Sequence, residues 1–150
     1  MNNAAALYFK EEFGQSTESA AAIASIFGWM NLFARGIGGF MSDKMSNKMG
    51  MKGRLITQSV LLVLEGIMVL IFARSTNLGV AIFILVLFST FVQAAEGSSY
   101  GIVPYVNPPV TGSIAGIVGA GGNSGAVAFG MCFRELDYKE AFAIMGFFIL

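Results

Sequence analysis

The 150-residue chain has no histidine, one cysteine (Cys132), three prolines and few charges, with nine Lys/Arg against nine Asp/Glu and a formal net charge of zero. Without histidine and with a single thiol, the usual metal-ligand sets and catalytic triads lack members, so no metal, no cofactor and no catalytic residue is expected, and no internal disulfide can form. Neutral charge with no basic patch interleaved with aromatics removes the electrostatic footprint of nucleic-acid binding. The stretch Met1 to Glu12 has no basic segment followed by an apolar one, so it is not expected to be a signal peptide. The shortage of charge excludes most. A soluble domain carries about 25% charged residues because water must solvate its surface, whereas here charged residues are 12%, hydrophobic residues 55% and mean hydropathy is +0.71. The solvent of such a chain is mostly lipid.

What is present is a series of apolar runs. Residues 1 to 18 read as the tail of one helix and a polar, acidic loop. From about Ser19 to Met41 the chain is apolar or small apart from Asn31 and Arg35, long enough to span, since about 20 helical residues cross a 30 Å hydrocarbon layer. A short loop, Ser42 to Arg54, holds four of the nine basic residues and is expected to be cytoplasmic by the positive-inside rule. Further spans are expected at about Leu55 to Phe72, Leu78 to Val103 and Val110 to Phe133, with Pro104, Pro108 and Pro109 marking a turn and residues 141 to 150 opening another. The expected fold is an all-α membrane protein: one transmembrane region of four full helices with partial helices at both ends, and a chain cut at both ends.

Arg35 stands out. An arginine at the centre of a membrane helix costs roughly 2.5 to 3.5 kcal/mol on insertion scales, so it normally faces a polar cavity and binds something. Eight positions before Asp43, it lies about 12 Å along the axis from the span's polar end, and Asn31 is one turn earlier on the same face. A planar guanidinium suits a planar oxyanion through paired N–H donors. The bland alternative is a lock, with Arg35 tied to Glu65, Glu96 or a neighbouring helix's carbonyls. The run Gly112 to Ala126 places small residues at spacings of three and four, a packing face in lipid. Asn123 within it needs a partner, which makes Gly121, Gly122 and Asn123 a candidate binding or hinge segment. A phosphate-loop reading fails because no strand precedes these glycines. Glu65 is a candidate proton site or a partner for a basic group elsewhere. Glu96, near Gln93, Ser98, Ser99 and Tyr100, is a second proton site or a structural hydrogen-bonding group at a helix end. Asp43, Lys44 and Arg54 read either as a gate latch or as a solvated loop.

The stretch Gly39 to Arg54 resembles the loop motif that major facilitator transporters carry between helices two and three and again between eight and nine. More narrowly, Asn31 to Gly39, then Gly101-Ile-Val-Pro-Tyr-Val106, then Gly119-Ala-Gly-Gly-Asn-Ser-Gly-Ala126 are similar to eukaryotic high-affinity nitrate transporters of the nitrate/nitrite porter family. The resemblance implies that residues 1 to 9 end helix seven, that helices eight to eleven follow whole, and that helix twelve starts near Ala141. It implies that Arg35 contacts nitrate, that Gly121 to Asn123 belong to the nitrate signature, and that the site is completed by a missing N-terminal half, since such sites lie between two repeats. It further implies proton-coupled import by alternating access in the plasma membrane, with a separate single-span accessory protein in many members. The expected partners are therefore nitrate, protons and the bilayer. A porter for nitrite or another small anion, and a non-transporting scaffold, are the alternatives.

Overall fold

A computed structural model describes residues 2–150, with Met1, the first residue of the expected helix-seven tail, outside the described residues. Six helices follow one another: α1 (Asn2–Glu12), α2 (Thr17–Met49), α3 (Met51–Ala73), α4 (Leu78–Val106), α5 (Thr111–Glu135) and α6 (Tyr138–Ile149), with a 3-10 turn at Pro108–Val110 before α5. There is no strand among the described residues, and α2 to α5 are each long and apolar enough to cross a membrane. In lipid the backbone must satisfy its own hydrogen bonds, which is why every apolar run became a helix.

Helix starts follow local chemistry. The Ser16 hydroxyl accepts from the Ser19 N–H at 3.2 Å ahead of α2, and the Asn77 side chain accepts from the Gly79 N–H at 2.9 Å ahead of α4. Two expected boundaries are corrected. The segment from Ser42 onward is no loop: α2 continues to Met49, turns at Gly50 with φ +62°, and α3 begins at Met51. Membrane thickness ends the apolar run, but Ser, Asp, Lys and Asn do not end a helix; the first residue that does is a glycine in left-handed backbone. Pro104 likewise lies inside the last turn of α4 rather than at a break, and the turn is made by Pro108 and Pro109.

Packing has two regions. Near the connections at one end, Tyr8, Phe9, Phe72, Phe88 and Phe142 form a buried aromatic cluster joining α1, α3, α4 and α6. Nearer the other end, α2 and α4 cross on small residues: Gly38 lies against Ala94, Gly97 against Arg35 and Gly101 against Ser42, with Ala34, Ser42, Ala94 and Ser98 all at most 3% exposed. A Cβ on Gly38 would strike the Ala94 carbonyl, and one on Gly97 the Arg35 carbonyl. Such contact is how helices associate where lipid offers no hydrophobic drive. Helix α5 has no buried residue at all.

Candidate functional site

The α2–α4 crossing sets the position of Arg35. With the Arg35 backbone against Gly97, its side chain is carried over the neighbouring Glu96, to whose Oε1 the Arg35 Nη2 donates. The guanidinium also stands 5.4 Å from the centroid of the Tyr100 ring, one turn further along α4. Asn31 lies one turn before Arg35 on the same cleft, which has a volume of about 830 Å³ and is floored by Gly36 and Gly97. Both members of the ion pair stay partly open, their side chains 40% and 43% exposed. A guanidinium has five N–H donors, and the bond to Glu96 is the one Arg35 makes among the described residues. The remaining donors can receive a small planar anion, and Asn31 can add an amide donor.

A second, larger cavity of about 1380 Å³ opens between α3, α4 and α5. Glu65 and Gln58 line it from α3, Glu96, Ser99 and Tyr100 from α4, and Gly122 and Asn123 from α5. Tyr100 walls both cavities, and Glu96 joins them by reaching from the second to Arg35 in the first. The structure thus brings Arg35, Asn31, Glu96 and Tyr100 together, and places Glu65, Gly122 and Asn123 around the adjoining space. Gly121 lines neither cavity and faces open space. Glu11, Arg134, Asp137 and Tyr138 stand at the far end of the second cavity. There burial, then a hydrogen bond to Glu11, pushes the Tyr138 phenol up to about 12. It stays neutral at physiological pH.

At the opposite end, Arg54 is buried and Asp43 is not: their side chains are 6% and 64% exposed, with Nη2 2.7 Å from the carboxylate. Arg54 also donates to the Tyr105 hydroxyl at 3.1 Å and to the Ser42 hydroxyl at 3.4 Å, and its guanidinium lies 4.5 Å from the Tyr105 ring centroid. One cation therefore ties the ends of α2, α3 and α4. Lys44, grouped with these two by sequence position, is exposed on α2 and forms no ion pair among the described residues. The sequence named Tyr100 only as a neighbour of Glu96 and Tyr105 only within the Gly101 to Val106 motif, and gave neither a role. Tyr100 carried a signal, lying four residues after Glu96 on one helix face, whereas Tyr105 meets Arg54 across 51 residues and carried none.

No family model and no solved structure matches the chain. Curated proteins do. It is 40% identical over 126 residues to the high affinity nitrate transporter 2.7 of Arabidopsis thaliana, an overlap of 84% of this chain and 26% of that protein. It is 40% identical over 160 residues to the high-affinity nitrate transporter 2.3 of Oryza sativa subsp. japonica, covering 100% of this chain and 30% of the relative. The nitrate/nitrite transporter NrtP of a Picosynechococcus strain is 39% identical over 122 residues, 81% of this chain and 22% of its own. The chain spans about a quarter of the length of the curated relatives it matches. Flowering-plant and cyanobacterial proteins thus agree on one kind of relative, and the rice protein, matched over 100% of this chain, takes in the α2–α4 crossing, the arginine on it and the glycine-rich α5. The chain belongs to the nitrate/nitrite porter family of the major facilitator superfamily.

Proposed function

We propose that the protein is a proton-coupled nitrate importer working by alternating access, and that this chain supplies the C-terminal half of its site, helices eight to eleven with the edges of seven and twelve. The observation that carries the reading is Arg35, a mid-span guanidinium with free donors on a cleft it shares with Asn31. Nitrate is planar and singly charged, so two of its oxygens accept parallel N–H bonds from one guanidinium. An N-terminal half closes the cleft from the open side, as the exposure of α5 and of both ion-pair members suggests. The glycine-rich α5, with Gly121, Gly122 and Asn123, lets the halves rock and lends an amide to the anion. Protons enter through Glu96 and Glu65, the carboxylates of the second cavity. Asp43 and Arg54 latch the cytoplasmic end, with Lys44 beside them adding only its charge, the protein resides in the plasma membrane, and a single-span accessory protein assists it. Transport makes and breaks no covalent bond, so the protein is not an enzyme. The cyanobacterial relatives are named nitrate/nitrite transporters, which supports nitrite as the alternative substrate.

The test is Arg35→Lys in the full-length protein. Lysine keeps the charge but loses the fork, and if one charge-assisted bond worth about 1.5 to 3 kcal/mol is lost, binding weakens roughly 10- to 150-fold. Labelled-nitrate uptake per surface-expressed molecule should fall accordingly, with nitrite and chloride as competitors. Wild-type uptake by the lysine variant would place the anion elsewhere.

A further inference from the structure

Arg35 is not waiting empty for an anion: it already holds one, the Glu96 carboxylate. The backbones that carry them are packed together, since a Cβ on Gly97, the residue next to Glu96, would strike the Arg35 carbonyl. Packing this close holds the two helices, so the pair is not freed by parting them. It separates only if the side chains turn away, and each has a cavity to turn into, Arg35 the cleft beside Asn31 and Glu96 the space beside Glu65 and Asn123.

We infer that Glu96 is a tethered competitor of the transported anion: ionised, it neutralises Arg35 and weakens its hold on nitrate; protonated, it leaves the whole positive charge to nitrate. This rests on the nitrate reading above and goes beyond it in naming how proton and anion are linked. If two anions compete for one cation, binding of the free one favours the form of the tethered one that carries no charge. By reciprocity, proton binding at Glu96 favours nitrate by the same factor. One nitrate and one proton then enter together, the proton from the water of the second cavity to a Glu96 oxygen. On release the nitrate leaves Arg35, Glu96 gives its proton back to water, and the carboxylate returns to the guanidinium. The charged and titratable groups facing Glu96 are few: Arg35 from α2, Glu65 from α3 and Tyr100 on α4 itself, while α5 presents the neutral Asn123. Glu11, Arg134, Asp137 and Tyr138 stand at the distant mouth of the same cavity.

The experiment measures nitrate binding to the purified full-length protein between pH 5 and 8, by shift of its unfolding temperature, together with proton uptake read by an indicator dye in weak buffer. Wild-type protein should bind nitrate more tightly as pH falls, by at most about tenfold per pH unit for one linked proton, and should take up protons when nitrate is added. Glu96→Gln should bind nitrate about tenfold more tightly than wild type at pH 8, with no pH dependence and no proton uptake. Glu96→Asp should keep both. If Glu96 only locked the helices, Glu96→Gln would lower the unfolding temperature without tightening nitrate, and that result overturns the inference. So does wild-type nitrate binding without proton uptake, which needs no variant to fold, and so does a pH dependence that survives Glu96→Gln but disappears in Glu65→Gln. Wild-type protein that binds no nitrate at any pH would bring down the nitrate reading itself.

Discussion

At Gly97 a missing side chain does as much as a present one. A Cβ there meets the Arg35 backbone, which has no rotamer to escape by, so any larger residue moves α4 off α2 and takes Glu96 away from the guanidinium. Gly97→Val should therefore destabilise by about 1 to 3 kcal/mol, the usual cost of forcing volume into a packed contact, and should abolish nitrate uptake in the full-length protein. Gly116→Ala is the contrasting change: nothing in this chain lies within 4 Å of a Cβ added there, and alanine favours helix over glycine by about 0.8 to 1 kcal/mol. Unfolding temperatures followed by size-exclusion chromatography should fall for the first and hold or rise for the second; equal behaviour would mean that the α2–α4 crossing does not control the site. In the sequence Gly36, Gly38 and Gly39 look alike, each small enough for a ligand or for a close helix. The partner decides between these uses, and it is 60 or so residues away: Gly38 lies under Ala94, while Gly36 lines the cleft.

At the scale of elements, four spans were legible because lipid imposes one length and one polarity on each. The ends were not, because hydropathy reports where hydrocarbon stops and helix geometry continues until a residue that cannot hold it. The extension of α2 from Met41 to Met49 matters for function, since it puts Ser42 and Asp43 on a helix that carries them to Arg54 and Tyr105. This joint is asymmetric in burial, and the asymmetry predicts which substitution hurts. Removing the exposed Asp43 leaves a buried guanidinium whose Nε is already without a partner, whereas replacing Arg54 by an apolar residue of similar length leaves Asp43 in water. Breaking a buried pair from its exposed side costs up to about 3 to 5 kcal/mol, discounted here because Tyr105 and Ser42 still bond the cation, while an apolar replacement is often neutral. Asp43→Ala should thus lower the unfolding temperature more than Arg54→Met. The opposite order would show that the Arg54 bonds to α4, and not the neutralisation of its charge, hold this end.

Across the whole molecule the six helices put their connections at two ends. The turns at Gly50 and at Pro108–Val110 share one end; the links before α2, between α3 and α4, and between α5 and α6 share the other. Apart from Arg35, Lys and Arg divide evenly, with Lys44, Lys48, Lys52 and Arg54 around Gly50 and Lys10, Arg74, Arg134 and Lys139 spread over three links. A bare count of the two ends is therefore level, and the expectation of a cytoplasmic Gly50 end rests on the four basic residues lying together in one short segment. The structure weighs the two sets differently. Arg134 has Glu135 at 3.7 Å and Lys139 has Glu12 at 3.5 Å, so half of the dispersed set faces a carboxylate, while three of the clustered four, Lys44, Lys48 and Lys52, pair with none among the described residues. Positive charge that is concentrated in one short turn beside two spans is what resists translocation. The Gly50 turn should lie in the cytoplasm. With Cys132, the chain's only cysteine, changed to serine and any others in the full-length protein removed, a cysteine at Lys48 should react with a membrane-impermeant maleimide only after the cells are opened, and one at Thr76 should react in intact cells. The reverse pattern would invert the protein in the membrane, and would put the Arg54 joint on the side from which nitrate arrives.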